Sequence, residues 1–251
     1  MNNKIIEFLY PKESKSLLED VFPIPTKNNL PDWFKKLKTD FEKKTIKSCV
    51  PFLETLTSGY ILKMPQDFYI KHNFLNKENK LDSIFRCSYH DFDYAYLLDK
   101  GLNLNTSHPQ IHSPLQLGEE CPYHQKNKNL PFYKILNPFI IKTPPGYSCL
   151  FTSPLNNNDD RFEIISGIVN TDTFPSNINF PIIINGYKYP NLETTIKRGT
   201  PYVQIIPFKR DNWKLNMVEN KPSNFLENRL KILKHLWNTY RNCYWNKTKW
   251  N

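Results

Sequence analysis

The stretch from Asn137 to Arg210 limits the fold of this chain more than any other part of it: NPFIIKTPPGYSCLFTSPLNNNDDRFEIISGIVNTDTFPSNINFPIIINGYKYPNLETTIKRGTPYVQIIPFKR. Short runs of β-branched and aromatic residues alternate there with Pro-Pro-Gly, Asn-Asn-Asn-Asp-Asp, Asn-Gly and Arg-Gly. That is the pattern of an antiparallel β domain, in which turn residues bound short strands. Strands are expected over 139–142, 147–152, 162–169, 178–184 and 202–208. Apolar side chains are near-continuous in several of them, so both faces are expected to be covered. Four of the seven glycines of the chain, Gly146, Gly167, Gly186 and Gly199, fall in this stretch. Glycine used so sparingly belongs where the backbone takes positive φ or approaches a neighbour closely.

The flanks are built differently. Residues 1–58 read as a wrapping N-terminal segment, with KIIEFLY as a strand and Pro23, Pro25 and Pro31 forcing an extended path. A short helix is expected from Pro31, with Trp33, Phe34, Leu37 and Phe41 on one side and Lys35, Lys36, Lys38, Lys43 and Lys44 on the other. A second short helix or turn around Leu53–Thr57 ends at Gly59. The β core is expected over 59–210, opening with Tyr60–Met64 and Phe68–Lys71 as a hairpin through Pro65-Gln66-Asp67. Within it, residues 99–133 read as a proline-rich loop. A C-terminal amphipathic helix is expected over 222–250, with Ser223 as its N-cap. Leu226, Leu230, Leu233, Trp237, Tyr240 and Tyr244 follow at steps of 4, 3, 4, 3 and 4, an apolar seam. Such a seam either docks on the β core or joins copies of the chain, and its length favours docking. The fold class is therefore mainly β (α+β), in one domain.

Composition bounds the function. The chain has 251 residues, enough to bury a substantial core, and 39% hydrophobic content excludes a mainly disordered protein. No apolar run approaches the ~18 to 20 residues that span a bilayer, and the N-terminus lacks the apolar core of a secretory signal. A cytoplasmic protein with no membrane partner is the expectation. Five cysteines, odd in number and widely spaced, fit free thiols. The formal net charge of +10 favours polyanionic partners: nucleotides, an acidic protein face or nucleic acid.

One cluster has metal-ligand character: His108, His112, Cys121 and His124, all in the 99–133 loop. Imidazole and thiolate at such spacing can hold zinc, although the pattern fits no closed structural-zinc template. The alternative is a set of ordinary loop side chains. No cofactor is expected; zinc or magnesium would be the metal if one is bound.

TPPGYSCLFTSP, SGIVNTDTF, INFPIIING and IKRGTPYVQIIPFKR together resemble a family of uncharacterised proteins of phages and bacteria, and KSCVPFLETLTSGYI and LPDWFKK extend the likeness over most of the chain. More remotely, the order of these motifs is similar to the trimeric dUTPases and dCTP deaminases, which have a β-clip fold and bind nucleotide between subunits. That resemblance implies a β-clip-like core and a site in which Asp172 is the catalytic carboxylate and Phe174 stacks on a base. Asn170 and Gln204 would then contact ligand, and Lys197, Arg198 and Lys209 would meet phosphates. The chain departs from the enzymes at chemically decisive places. Asn170, an amide, stands where the general base should be, and a base must be able to accept a proton. Thr173 replaces a tyrosine, and Phe151-Thr152-Ser153-Pro154 stands in place of the phosphate-binding Arg-Ser-Gly.

The same residues have a structural reading: Asp172 and Asn170 bonding turn amides, and Gln204 bonding across strands. The expectation is an accessory or interaction protein of phage type, self-associating and without catalysis, in the host cytoplasm or in the virion. A divergent β-clip nucleotide enzyme is the alternative, and a metal-dependent enzyme a further one.

Overall fold

The structure, a computed structural model, describes residues 4–39, 45–73, 82–87, 110–127, 130–157, 159–219, 222–234 and 239–251. Its strands in chain order are β1 (Glu7–Leu9), β2 (Ile24–Pro25), β3 (Tyr60–Lys63), β4 (Phe68–Asn73), β5 (Asp82–Cys87), β6 (Gln110–His112) and β7 (Phe132–Ile135), followed by β8 (Ile140–Lys142), β9 (Tyr147–Thr152), β10 (Phe162–Ile164), β11 (Gly167–Val169), β12 (Phe180–Ile184), β13 (Asn191–Ile196) and β14 (Pro201–Lys209). All pairings among them are antiparallel. They form sheets of order β11-β9-β14-β3-β2, β10-β12-β7-β6 and β13-β4-β5, with β1 paired to β8. The chain is mainly β with short helices, as its punctuation implies.

One buried cluster joins the sheets. It takes Leu62, Phe151, Val203 and Ile205 from the first, Ile135, Phe180 and Ile182 from the second, and Phe68, Ile70 and Ile196 from the third. Phe180 lies 5.4 Å from Phe151 and 5.8 Å from Tyr202 between ring centroids, tying the first two sheets face to face. Such aromatic pairs stabilise by about 1 kcal/mol beyond the area they bury. In the N-terminal segment β1 pairs with β8, β2 adds to the edge of the first sheet beside β3, and Leu18 and Val21 enter the core. Near-continuous burial along β12 and over Tyr202–Ile205 of β14 fits strands covered on both faces, while the end of β14 emerges at the surface.

Several expectations are corrected. The segment 162–169 is two strands in two sheets: β10 pairs with β12 and β11 with β9. The strands β3 and β4 do not pair with each other. β3 pairs with β14 and β4 with β13, so Pro65-Gln66-Asp67 turns a corner between sheets. Beside it the Lys197–Thr200 connection turns the same corner, joined by Met64 N–H to the Thr200 carbonyl at 2.8 Å. The proline-rich loop holds regular structure, including β6 and a helix over Pro122–Asn127. Pro122 opens that helix, where a missing N–H does no harm.

The C-terminal helix is shorter than 222–250. It spans Pro222–Lys234, a single π-helical turn follows at Tyr240–Tyr244, and residues 245–251 are not helical. Nor does its described apolar face dock on the core: Leu226 is 60% and Leu230 46% exposed. The extended run before it, 211–219, is exposed throughout. The chain returns to the body at Trp245, whose indole N–H donates to Glu54 Oε1 at 2.7 Å.

Candidate functional site

The turn Pro144–Tyr147 connects β8 to β9 and organises the region that holds Asp172. Tyr147 N–H bonds the Pro144 carbonyl, with Pro145 and Gly146 at the centre and Gly146 at φ +82°. This is a type II turn, and the third position is one that glycine fills without strain. Asp172 lies in the following turn, after β11, and its side chain is only 6% exposed. Its Oδ2 accepts from Gly146 N–H at 2.8 Å, and Oδ1 from Arg210 Nη1 at 2.8 Å. Arg210 Nη2 completes a bidentate pair with Oδ2. Such fork-on-carboxylate pairs are among the stronger polar contacts in proteins.

The surrounding polar groups are equally occupied. Arg210 Nη1 also donates to Ser148 Oγ at 2.9 Å, and Ser148 Oγ–H to Asn170 Oδ1 at 2.8 Å. Thr171, fully buried, shares a 2.7 Å hydrogen bond with Thr143. Hydrogen bonding from Arg210 is the largest influence on Asp172 and holds its carboxyl well below the usual range, at about 2. A carboxylate held so low is a poor proton acceptor at neutral pH. The arrangement does what the structural reading of these residues expects: it locks two turns together.

Of the other candidates, Asn170 and Phe174 lie in the same turn as Asp172, and Lys197, Arg198 and Gln204 lie elsewhere. Asn170 Oδ1 accepts from Ser148, its backbone carbonyl accepts from the Thr173 and Phe174 amides, and the Phe174 ring is partly exposed. Lys209, at the end of β14, pairs with Asp211 at 2.7 Å. Lys197 and Arg198 sit at the sheet corner instead. Lys197 Nζ meets Asp67 Oδ2 at 2.9 Å, and Arg198 N–H donates to Asp67 Oδ1 at 2.6 Å. The Arg198 guanidinium also bonds Asp20 and the Leu17 and Pro65 carbonyls, tying the N-terminal segment to the corner. Gln204 is fully buried in β14. Its amide donates to the Thr55 and Ser58 carbonyls at 2.9 and 2.8 Å and accepts from Leu155 N–H at 2.9 Å.

Of the metal candidates, His108 lies outside the described residues. His112 Nδ1 meets Gln116 Oε1 at 2.7 Å, and its ring stacks on Phe132. His124 Nδ1 meets the Pro114 carbonyl at 3.2 Å. Cys121 is half-buried with a free thiol. Among the described residues no group of three or more His, Cys, Asp or Glu side chains is placed to hold a metal ion.

Two cavities were not foreseen. One of about 430 Å³ lies between the Thr26–Lys35 segment and the loop around Pro154–Asp159. The other, about 490 Å³, lies on the far side of the Pro144–Tyr147 turn, lined by Lys4, Ile5, Tyr60, Tyr147, Lys249 and Trp250 among others. Its residues come from both ends of the chain and from the middle, so no local pattern could have assembled it. Trp250 and Lys249 carried the one available signal, aromatic residues interleaved with basic ones near the C-terminus.

No protein-family model matches the chain, and a search of curated proteins finds no match.

Proposed function

We propose that this chain is a non-catalytic interaction protein of phage type that assembles with further copies of itself through the segment 211–244. The observation that carries the reading is the row of large apolar side chains standing off the body there. Trp213, Leu215 and Met217 are 92%, 85% and 85% exposed, and Phe225, Leu226, Leu230 and Ile232 continue the row along the helix. The first three alternate with polar residues, the period of a strand with one apolar face. Residues 211–219 nevertheless make no backbone hydrogen bond to the described body. The described part of the helix that follows spans Pro222–Lys234, and helices gain most of their stability from tertiary packing of an apolar face. Its seam repeats at heptad spacing, the pattern that packs like helices against one another.

On the nucleotide-enzyme reading Asp172 would orient water or a sugar hydroxyl, and both of its oxygens are already taken by Arg210 and the Gly146 amide. The metal-enzyme reading draws on His112 and His124, whose Nδ1 atoms meet Gln116 Oε1 and the Pro114 carbonyl, and among the described residues no group of three or more His, Cys, Asp or Glu side chains could hold a metal ion. The interaction reading is therefore preferred. With it go a cytoplasmic site of action, virion association where copies assemble into a particle, and an acidic protein face or nucleic acid as further partner for a chain of net charge +10. Light scattering on the eluting intact protein tests the reading. A mass of two or more chains is expected, and a monomer at every concentration examined overturns it.

A further inference from the structure

The groove beyond the Pro144–Tyr147 turn has a chemistry that self-assembly does not use. Tyr60, Tyr147 and Trp250 supply aromatic surface, and Ile5, 67% exposed, adds an apolar rim. Lys4 and Lys249 are both exposed, and no acidic residue lines the cavity. Lys4 contacts the Tyr147 ring from 5.7 Å, and neither lysine makes an ion pair among the described residues. Some other cations of the body meet carboxylates, as Lys71 does Glu193, Lys197 Asp67 and Arg210 Asp172. Lys4 and Lys249 instead flank an aromatic cavity with no carboxylate side chain among its lining residues.

Trp250 adds a second, independent feature. Its indole Nε1 is buried and has no hydrogen-bond partner among the described residues. Indole is a donor only, so what completes it must be an acceptor. The ring is held in place: it packs edge-on against Tyr60 at 6.0 Å, and the next residue, Asn251, is bonded by Tyr60 Oη at 3.3 Å and by Lys27 Nζ at 3.2 Å. Burial pushes the Tyr60 hydroxyl above its ordinary pKa, as expected of a phenol shielded from water.

We infer that this groove binds a planar aromatic body carrying an anionic group, the chemistry of a nucleoside monophosphate, either free or at the end of a single strand. The aromatic residues offer stacking surface of the kind that takes any base, the lysines meet the phosphate, and the Trp250 N–H takes an acceptor on the ligand. A cavity of about 490 Å³ lies within the usual range for small-ligand sites. The inference is independent of self-assembly, because none of these side chains belongs to the 211–244 arm.

Calorimetric titration of the intact protein with AMP, adenosine, inorganic phosphate and pentathymidylate tests it. AMP is expected to bind more tightly than adenosine or phosphate alone. Lys4→Ala with Lys249→Ala, at two exposed positions, weakens AMP binding at least tenfold and leaves adenosine unchanged. Trp250→Phe keeps a ring but loses the N–H, and it weakens both AMP and adenosine several-fold while the unfolding temperature stays within a few degrees. Pentathymidylate binding that falls in the same variants supports the inference and identifies a strand end as the source. AMP binding no tighter than adenosine, or phosphate alone binding as well as AMP, overturns it. So does the absence of heat with all four probes at millimolar concentration.

Discussion

A methyl group added at Gly59 meets packed backbone directly. This glycine joins the helix Val50–Thr57 to β3 at φ +74°, and its carbonyl accepts from Thr26 N–H at 3.0 Å. A Cβ built there would stand 1.9 Å from the Ile205 carbonyl oxygen and 2.9 Å from its carbon. Ile205 belongs to β14, paired on one side with Tyr60 and on the other with Phe151, so retreat of that carbonyl disturbs two ladders. Positive φ costs an alanine about 1–2 kcal/mol, and forcing a packed backbone aside costs about 1–3 kcal/mol more. Gly59→Ala is therefore expected to lose about 2–5 kcal/mol, or roughly 5 to 15 °C in unfolding temperature. Gly146 supplies the control, since its φ is +82° but nothing lies within 4 Å of a Cβ added there. Gly146→Ala should lose only the conformational part, about 1–2 kcal/mol. Urea unfolding of both variants separates the two contributions. Equal losses would refute the argument that the Ile205 carbonyl makes Gly59 indispensable.

Other outcomes follow from the buried polar groups and thiols. Gln204→Leu leaves Leu155 N–H and the Thr55 and Ser58 carbonyls without their partner, and should cost about 3 kcal/mol or more in chemical unfolding. Asp172 titrates at about 2, below the unfolded value near 4, chiefly because Arg210 holds its anion. Its contribution to stability is thus complete above about pH 4 and lost as pH falls toward 2. NMR titration of the carboxyl should show its midpoint moving up toward 4 in Arg210→Gln, and an unmoved midpoint would contradict the assignment. Burial raises the Cys149 thiol to about 11, whereas Cys243 is exposed. Iodoacetamide followed by peptide mass analysis should label Cys149 only after unfolding.

The sequence made strand existence legible wherever apolar runs met strong turn residues, as at Tyr147–Thr152 after Pro-Pro-Gly. Partner choice was hidden, because it is settled by distant residues. Tyr60–Lys63 and Phe68–Asn73 lie a few residues apart yet pair with different strands from across the chain. Strand β13 escaped notice because Pro190 precedes it and its outer positions are polar. Glu193 is stabilised there by Lys71 and Tyr69 from β4, more than a hundred residues earlier.

The candidate site was legible in its turn chemistry. Asp172 bonds the Gly146 amide, which a structural reading of it anticipates, whereas Gln204 bonds not across strands but to the end of the helix Val50–Thr57 and to the Leu155 amide. What could not be read was Arg210 as the partner of Asp172, since their approach depends on β14 lying beside β9. The C-terminal seam shows the same division. Its spacing is written in Leu226, Leu230, Tyr240 and Tyr244, but a seam pattern does not state what covers it.

The most direct test of self-assembly through the arm is sedimentation velocity of the intact chain beside Leu226→Glu with Leu230→Glu, over a hundredfold concentration range. Both leucines are exposed within the single chain, so the double variant should keep the parent's unfolding temperature as a monomer. The account predicts that the parent sediments as a dimer or larger species and that the double variant sediments as a monomer. A monomeric parent, or a double variant that assembles as the parent does, would contradict it.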